Sequence, residues 1–246
     1  MPAEPIEAPS LEAFRDDNLI VGVLGPVKSG KEATVYCCEA HRSLGVELLA
    51  AKVYRPLAWR SFRNDAVYQE GRVIRDARLR RAYRKKTPTG REVQSDLWVG
   101  REFEALRVLH EAGANVPRPV ARSGPAILME YVGNTEAPAP LLKSVRLEPD
   151  EAKHLFKLVM WNVEVFLGCN LVHADLSAFN ILYWRGELKI IDFPQTVDPR
   201  FNPNALELLA RDIRNVCHHF VRYGIEASAE QCAQRLWCQY LTGVPE

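Results

Sequence analysis

The chain has 246 residues, 47% of them apolar, with 32 basic and 31 acidic side chains and a net charge of +1. That apolar content supports a substantial core, in one large domain or two small lobes, and excludes a chain disordered at large. The near balance of charge excludes a global pull toward nucleic acid or membrane, so any basic binding surface must be local.

No apolar run approaches the roughly 20 residues that cross a bilayer. The opening MPAEPIEAPS is acidic and proline-rich, unlike a signal peptide. A cytoplasmic protein with no membrane partner is expected. The six cysteines, Cys37, Cys38, Cys169, Cys217, Cys232 and Cys238, form no C-x-x-C pair and no metal-ligand spacing, which points to reduced, mostly buried thiols.

Residues 1–18 read as a flexible leader. A strand begins at Leu19 to Leu24, a glycine-bounded loop follows over Gly25 to Glu32, and a second strand runs from Ala33 to Cys38. The loop nearly spells G-x-x-x-x-G-K-[ST], but Glu32 stands where a Mg2+-binding hydroxyl belongs, and the next residues are β-branched and aromatic. A P-loop opens a helix. Strand, loop and strand describe instead a flap over a nucleotide, with Gly25, Ser29, Gly30 and Lys31 as candidate ATP-binding residues; a plain glycine turn is the alternative.

The third strand, Val46 to Tyr54, carries Lys52 inside an apolar run, where a lysine needs an anionic partner. Glu102 offers one. It lies with Trp98, Leu106 and Leu109 on the apolar stripe of a helix over residues 96–109. Lys52 on ATP phosphates, held by Glu102, is the functional reading; a surface glutamate on an imperfect stripe is the bland one.

Between them, residues of about 55–95 form a basic insertion with Arg75, Arg78, Arg80, Arg81, Arg84, Lys85 and Lys86. It reads either as a solvated helix with a mobile loop or as a docking arm for an anionic partner, RNA included. Residues 19–132 make the first lobe, closed by a strand from Ala126 to Val132. There Met129, Glu130 and Val132 are candidates for the adenine pocket, although the same strand could be plain core.

Residues 133–246 make a mainly helical second lobe, beginning with a helix at Glu148-Pro-Asp-Glu, whose acidic first turn suits the helix dipole. It holds LVHADLSAFNILYWRGELKIIDFPQ, Leu171 to Gln195. The spacing H-x-D-L-x-x-x-N and a following I-D-F point to a phosphoryl-transfer loop. An attacking hydroxyl needs a proton acceptor outside the metal's grip, which suits Asp175. Mg2+ (or Mn2+) bridging ATP phosphates needs hard oxygen ligands, which suits Asn180 and Asp192. Two short strands, Ile181 to Trp184 and Leu188 to Ile191, would return Asp192 to Asn180, with His173 as a brace. The bland reading is a buried hairpin whose Asp and Asn cap turns.

With these residues assembled, the sequence resembles the RIO family of atypical protein kinases, most like the Rio1 branch. The motifs are S-G-K-E-A from Ser29, A-K-V-Y at Lys52, R-E-F-E-A-L at Glu102, H-A-D-L-S-A-F-N, I-D-F-P-Q and A-L-E-L-L-A-R-D ending at Asp212. The resemblance implies an α+β, bilobal protein-kinase-like fold of RIO type, with an antiparallel sheet and helix in the N-lobe, a helical C-lobe and no activation segment or APE region. It implies a serine/threonine kinase, autokinase or ATPase linked to small ribosomal subunits, in which Asp192 is also catalytic and transiently accepts phosphate. Expected partners are ATP, a protein substrate or the chain itself, and ribosome or RNA through the insertion. A small-molecule kinase and a nucleotide-gated RNA-binding switch remain as rivals.

Overall fold

The computed structural model describes residues 11–55 and 88–243. The clustered arginines and lysines of the insertion, and with them its reading as a docking arm, lie outside the described residues. Two compact units divide the chain; among the described residues the first holds 11–55, 88–106 and 117–138, the second 107–116 and 139–243. No helix among the described residues is long and apolar enough to cross a membrane.

In the first unit a short helix, α1 (Glu12–Asp16), precedes β1 (Ile20–Ser29), β2 (Ala33–Ala40) and β3 (Leu48–Tyr54). Helix α2 (Pro88–Glu111), β4 (Pro119–Ser123) and β5 (Ala126–Glu130) follow. The strands form one antiparallel sheet in the order β1-β2-β3-β5-β4. Strand alternation sends Leu49, Ala51 and Leu128 to one face, where they pack with Leu11, Phe14 and Ile20.

Three expectations change here. Residues 11–18, expected within a flexible leader, are part of the fold, because Leu11 and Phe14, three positions apart, are buried against the sheet. The loop expected over Gly25 to Glu32 shrinks to residues 30–32, since β1 continues through Pro26 to Ser29. Proline is tolerated there because β1 is an edge strand of the described sheet, with no neighbour on its outer side to receive an amide. The insertion ends at 87 and not 95, because α2 starts at Pro88, and a proline suits a first helical turn whose amides are unbonded anyway.

In the second unit, α3 (Pro149–Gly168) starts on a proline with Asp150 and Glu151 in its first turn and buries Leu155, Val159, Val163 and Phe166. The hairpin of β6 (Ile181–Trp184) and β7 (Glu187–Ile190) turns on Arg185 and Gly186, both at positive φ (52° and 86°), the geometry of a two-residue turn that follows strand twist. Helices α4 (Ala205–Val221) and α5 (Ala229–Thr242) complete it.

Candidate active site

In the first unit, Lys52 sits on β3 between Val35 of β2 and Ile127 of β5. Its Nζ donates to Glu102 Oε1 at 2.6 Å, and the lysine and glutamate are 9% and 1% exposed. A charge this deep is tolerable only when paired and hydrogen-bonded. Tyr54, two residues along the strand and so on the same face, donates its hydroxyl to Glu102 Oε2. Trp98, Leu106 and Leu109 are all buried with Glu102, as the helical stripe predicts. Sequence reasoning misses Tyr54, although its place at i+2 from Lys52 is a readable signal.

The flap candidates lie at the β1–β2 turn. Ser29 Oγ accepts from Arg55 Nη2 at 2.8 Å and lies 3.3 Å from Thr34 Oγ1, while Gly30 N donates to the Ala33 carbonyl at 2.9 Å. Lys31 is exposed. A Cβ on Gly25 would meet nothing within 4 Å, and neither Gly25 nor Gly30 has positive φ. Neither glycine relieves local strain; Gly25 leaves open surface above the strand, whereas a Cβ on Gly30 would sit 3.4 Å from the Ala33 carbonyl oxygen. On β5, Met129 is buried opposite Ala50. The Glu130 carboxylate accepts the Arg118 amide at 3.0 Å, so its side chain is spent on joining β4 to β5. Val132 is half-buried just beyond the strand.

In the second unit, residues 173–180 form a closed loop. Asn180 Nδ2 donates to the Asp175 carbonyl at 2.8 Å and lies 3.3 Å from Asp175 Oδ2. Because both of these bonds use Nδ2, the amide oxygen of Asn180 faces away from Asp175 as an acceptor. The hairpin brings Asp192 back as its spacing required: Ile181 pairs with Ile190, and Ile191 N donates to the Asn180 carbonyl at 2.9 Å. The Asp175 amide donates to His173 Nδ1 at 3.3 Å, which puts the ring proton on Nε2, facing the Ile191 carbonyl at 3.1 Å. His173 thus fastens the loop to the residue before Asp192.

Asp175 presents surface to solvent, yet protein atoms packed around its carboxyl thin its hydration and raise its pKa, and the Asp192 charge raises it further; Asn180 and Arg211 oppose both. Two like charges with an amide oxygen beside them suit a divalent cation that also takes phosphate oxygens. Mg2+ uses few protein carboxylates in such sites, one or two being usual, and the Asn180 amide oxygen with Asp192 fits that sparse donor set, leaving Asp175 outside it. Among the described residues there is no cluster of three or more His, Cys, Asp or Glu placed to hold a metal ion.

Sequence reasoning also misses the groups that hold this loop. Asp212 of α4 accepts the amides of Ala174 at 2.7 Å and Leu176 at 3.0 Å. Arg211 donates to the Ala174 carbonyl, and Asn215 Nδ2 to the Leu176 carbonyl at 3.1 Å. These contacts hold Ala174 at φ 64°, a left-handed conformation that costs a non-glycine residue about 1–2 kcal/mol. Burial pushes the Asp212 carboxyl up to about 8, against the pull of the two amides and Arg211. A signal did exist: Asp212 interrupts the apolar stripe of Leu208, Leu209, Ile213 and Val216. On the other side, Asn162 of α3, fully buried, exchanges bonds with Asn115 at 2.7 and 2.9 Å, and the Asn115 carbonyl receives Ile190 N at 2.8 Å.

A family model for the RIO domain matches residues 34–233. Over 207 residues the chain is 34% identical to serine/threonine-protein kinase RIO1 of Caenorhabditis elegans, covering 84% of this chain and 38% of that protein. It is 36% identical over 209 residues to the RIO-type serine/threonine-protein kinase Rio1 of Haloferax volcanii, covering 84% and 66%. The chain therefore spans about a third to two thirds of the length of these relatives. Among solved structures, the Rio2 kinase–ADP/Mg2+–phosphoaspartate complex from Chaetomium thermophilum matches with a TM-score of 0.67 at 24% identity, over 95% of this chain and 69% of that one. That likeness establishes an α+β kinase-like fold.

Proposed function

The chain belongs to the RIO domain family, and on that premise we propose that it is a RIO-type serine/threonine phosphotransferase using ATP and Mg2+, as protein kinase, autokinase or ATPase. The observation that carries this reading is the Asp175–Asn180 closure at 3.3 Å with Asp192 returned by the β6–β7 register. Turn-capping residues have no reason to assemble two carboxylates and an amide around one loop.

Bound ATP with Mg2+ supplies the transferable phosphoryl group and the cation that neutralises its charge. Asn180 and Asp192 are the residues that would hold the metal. Asp175 orients an acceptor hydroxyl and takes its proton, a role its raised pKa favours. Lys52, kept in place by Glu102, would bind nucleotide phosphates. Gly25, Ser29, Gly30 and Lys31 would cover the nucleotide, and Met129, Glu130 and Val132 would line its base through main chain and apolar surface. The Chaetomium Rio2 complex holds a phosphoaspartate together with ADP and Mg2+, which supports Asp192 as a transient phosphate acceptor here.

The test is phosphate release and autophosphorylation from labelled ATP with Mg2+, for wild type, Asp175→Ala and Asp192→Ala. Loss of both activities in both variants is expected. Turnover that survives either substitution rejects the assignment, and an inactive wild type that still binds ATP turns the reading into a nucleotide-sensing scaffold.

A further inference from the structure

Within the catalytic loop, burial divides the side chains sharply. Leu176, Ala178 and Asn180 are buried at 0%, 6% and 9% exposure, whereas Asp175 and Phe179 face solvent, Phe179 at 58%. An exposed apolar side chain is ordinary by itself; what distinguishes Phe179 is its place in the loop that carries Asp175 and its fixed cationic neighbour. It cannot be far from the base. Asn180, its covalent neighbour, touches the Asp175 carboxylate at 3.3 Å, and adjacent Cα atoms are about 3.8 Å apart.

Phe179 is also not a loose side chain. Its amide donates to Ser177 Oγ at 3.3 Å. Lys143, in the short helical turn Leu142–Ser144, donates its own amide to the Ala178 carbonyl at 3.1 Å and holds its Nζ 4.1 Å from the centre of the Phe179 ring. This turn is itself tied to the hairpin through the Leu141–Leu182 bridge. Lys143 is exposed, and among the described residues it forms no ion pair with a carboxylate. An ammonium resting on an exposed ring, fixed by backbone bonds on both sides and left without a counter-charge among those residues, is arranged to receive an anion from outside.

We propose that Phe179 and Lys143 form the acceptor subsite of this enzyme, selecting a peptide whose reacting serine or threonine is flanked by an anionic side chain. The peptide's apolar surface lies on the Phe179 ring, its carboxylate or phosphate pairs with Lys143, and its hydroxyl reaches Asp175. The inference rests on the phosphotransferase reading above. It adds a choice of substrate that neither the loop motif nor the family match contains. Lys143 lies 32 positions before Asp175 in sequence, and the backbone bond from its amide to Ala178, with the Leu141–Leu182 bridge, brings it beside the loop.

The experiment compares four serine peptides that differ only in the flanking residue, glutamate, phosphoserine, alanine or lysine, with wild type, Lys143→Glu and Phe179→Ala. ATP hydrolysis without peptide is measured alongside. For wild type, kcat/KM for the glutamate peptide should exceed that for the lysine peptide by roughly two- to fivefold, the scale of an exposed ion pair, with phosphoserine favoured further by its extra charge. Lys143→Glu should invert the ratio. Phe179→Ala should lower kcat/KM for every peptide, mainly through KM. The ratio is taken within each variant, so a general loss of folding or of phosphoryl transfer cancels from it. A wild-type enzyme that hydrolyses ATP without any charge preference, or a preference that survives Lys143→Glu, overturns the subsite alone. A wild type with no ATP turnover removes the phosphotransferase reading and the subsite with it.

Discussion

Asp212 accepts the Ala174 amide at 2.7 Å across 38 residues of chain, and so a helix of the second unit holds the backbone next to the proposed base. Its second oxygen takes the Leu176 amide, so both oxygens are committed. Asp212→Asn keeps one acceptor and turns an NH2 group toward the other amide. An unmet buried donor of this kind costs about 1–3 kcal/mol, which urea unfolding should register. Because Ala174 and Leu176 flank Asp175, kcat for ATP hydrolysis should fall more than KM for ATP rises.

The Lys52–Glu102 pair allows a cycle of substitutions. Glu102→Ala removes the carboxylate that the buried ammonium donates to and should destabilise the protein by about 3–5 kcal/mol. Lys52→Met should cost less, because Tyr54 still donates to Glu102. Since a buried pair is often close to neutral against apolar residues of similar volume, Lys52→Met combined with Glu102→Leu should recover most of the stability, measured by denaturant unfolding. Binding of a fluorescent ATP analogue should weaken in all three variants.

His219 on α4 should make the protein acid-sensitive. It is 5% exposed, its Nε2 has no hydrogen-bond partner among the described residues, and burial, helped by Arg222 and His218, lowers its pKa to about 4. Between pH 6.5 and 4 an unfolded chain would protonate this histidine and the folded protein would not. Its stabilising contribution is therefore complete above pH 6.5 and is lost as pH falls toward 4, with a size on the order of 3 kcal/mol. Asp212 slopes the other way, because a carboxyl raised to about 8 favours the folded state at low pH and loses that advantage as pH rises through 8. Comparing wild type with His219→Gln at each pH isolates the histidine. Their stability difference should shrink between pH 7 and pH 5, and a constant difference would speak against it.

Gly100 on α2 lies close to Arg122, and a Cβ there would come within 2.5 Å of Arg122 Nη1. The obstacle is the end of a long side chain whose pairing with Asp96, at 3.3 Å, is largely solvent-exposed. Gly100→Ala gives up an ion pair of about 0–1 kcal/mol and gains about 0.8–1 kcal/mol of helix propensity. The net change in denaturation midpoint should be close to zero or slightly stabilising, despite the apparent clash.

The hairpin and the helix carrying Glu102 are legible in the sequence because short-range chemistry specifies them. The sequence reading starts the second strand at Leu188, whereas Arg185-Gly186 closes a two-residue turn and the strand starts at Glu187, so counting residues returns Asp192 to Asn180 to within one position. The stripe of Trp98, Glu102, Leu106 and Leu109 needs only helical periodicity. The flap reads too long because Gly25 and Pro26 mimic a loop, and only knowledge that β1 is a sheet edge makes a strand through them acceptable. The strand β4 escapes a sequence reading because Val116-Pro-Arg-Pro-Val120 carries turn signals, and its pairing with β5 is what extends it.

By itself, then, the sequence determined the family motifs, the loop proposed as catalytic with its candidate residues Asp175, Asn180 and Asp192, and the pairing of Lys52 with Glu102, because each follows from spacing along a few turns or strands or from the cost of an unpaired buried charge. The tertiary structure alone decided what holds them: Asp212, Arg211 and Asn215 behind the loop, Asn162 and Asn115 behind the hairpin, Tyr54 on Glu102, and Lys143 over Phe179. These partners lie 36 to 48 residues apart, or, for Lys143 and Phe179, on separate segments. A hydrogen bond across such a distance depends on which helix faces strike one another after the core packs, and no local pattern of residues encodes that.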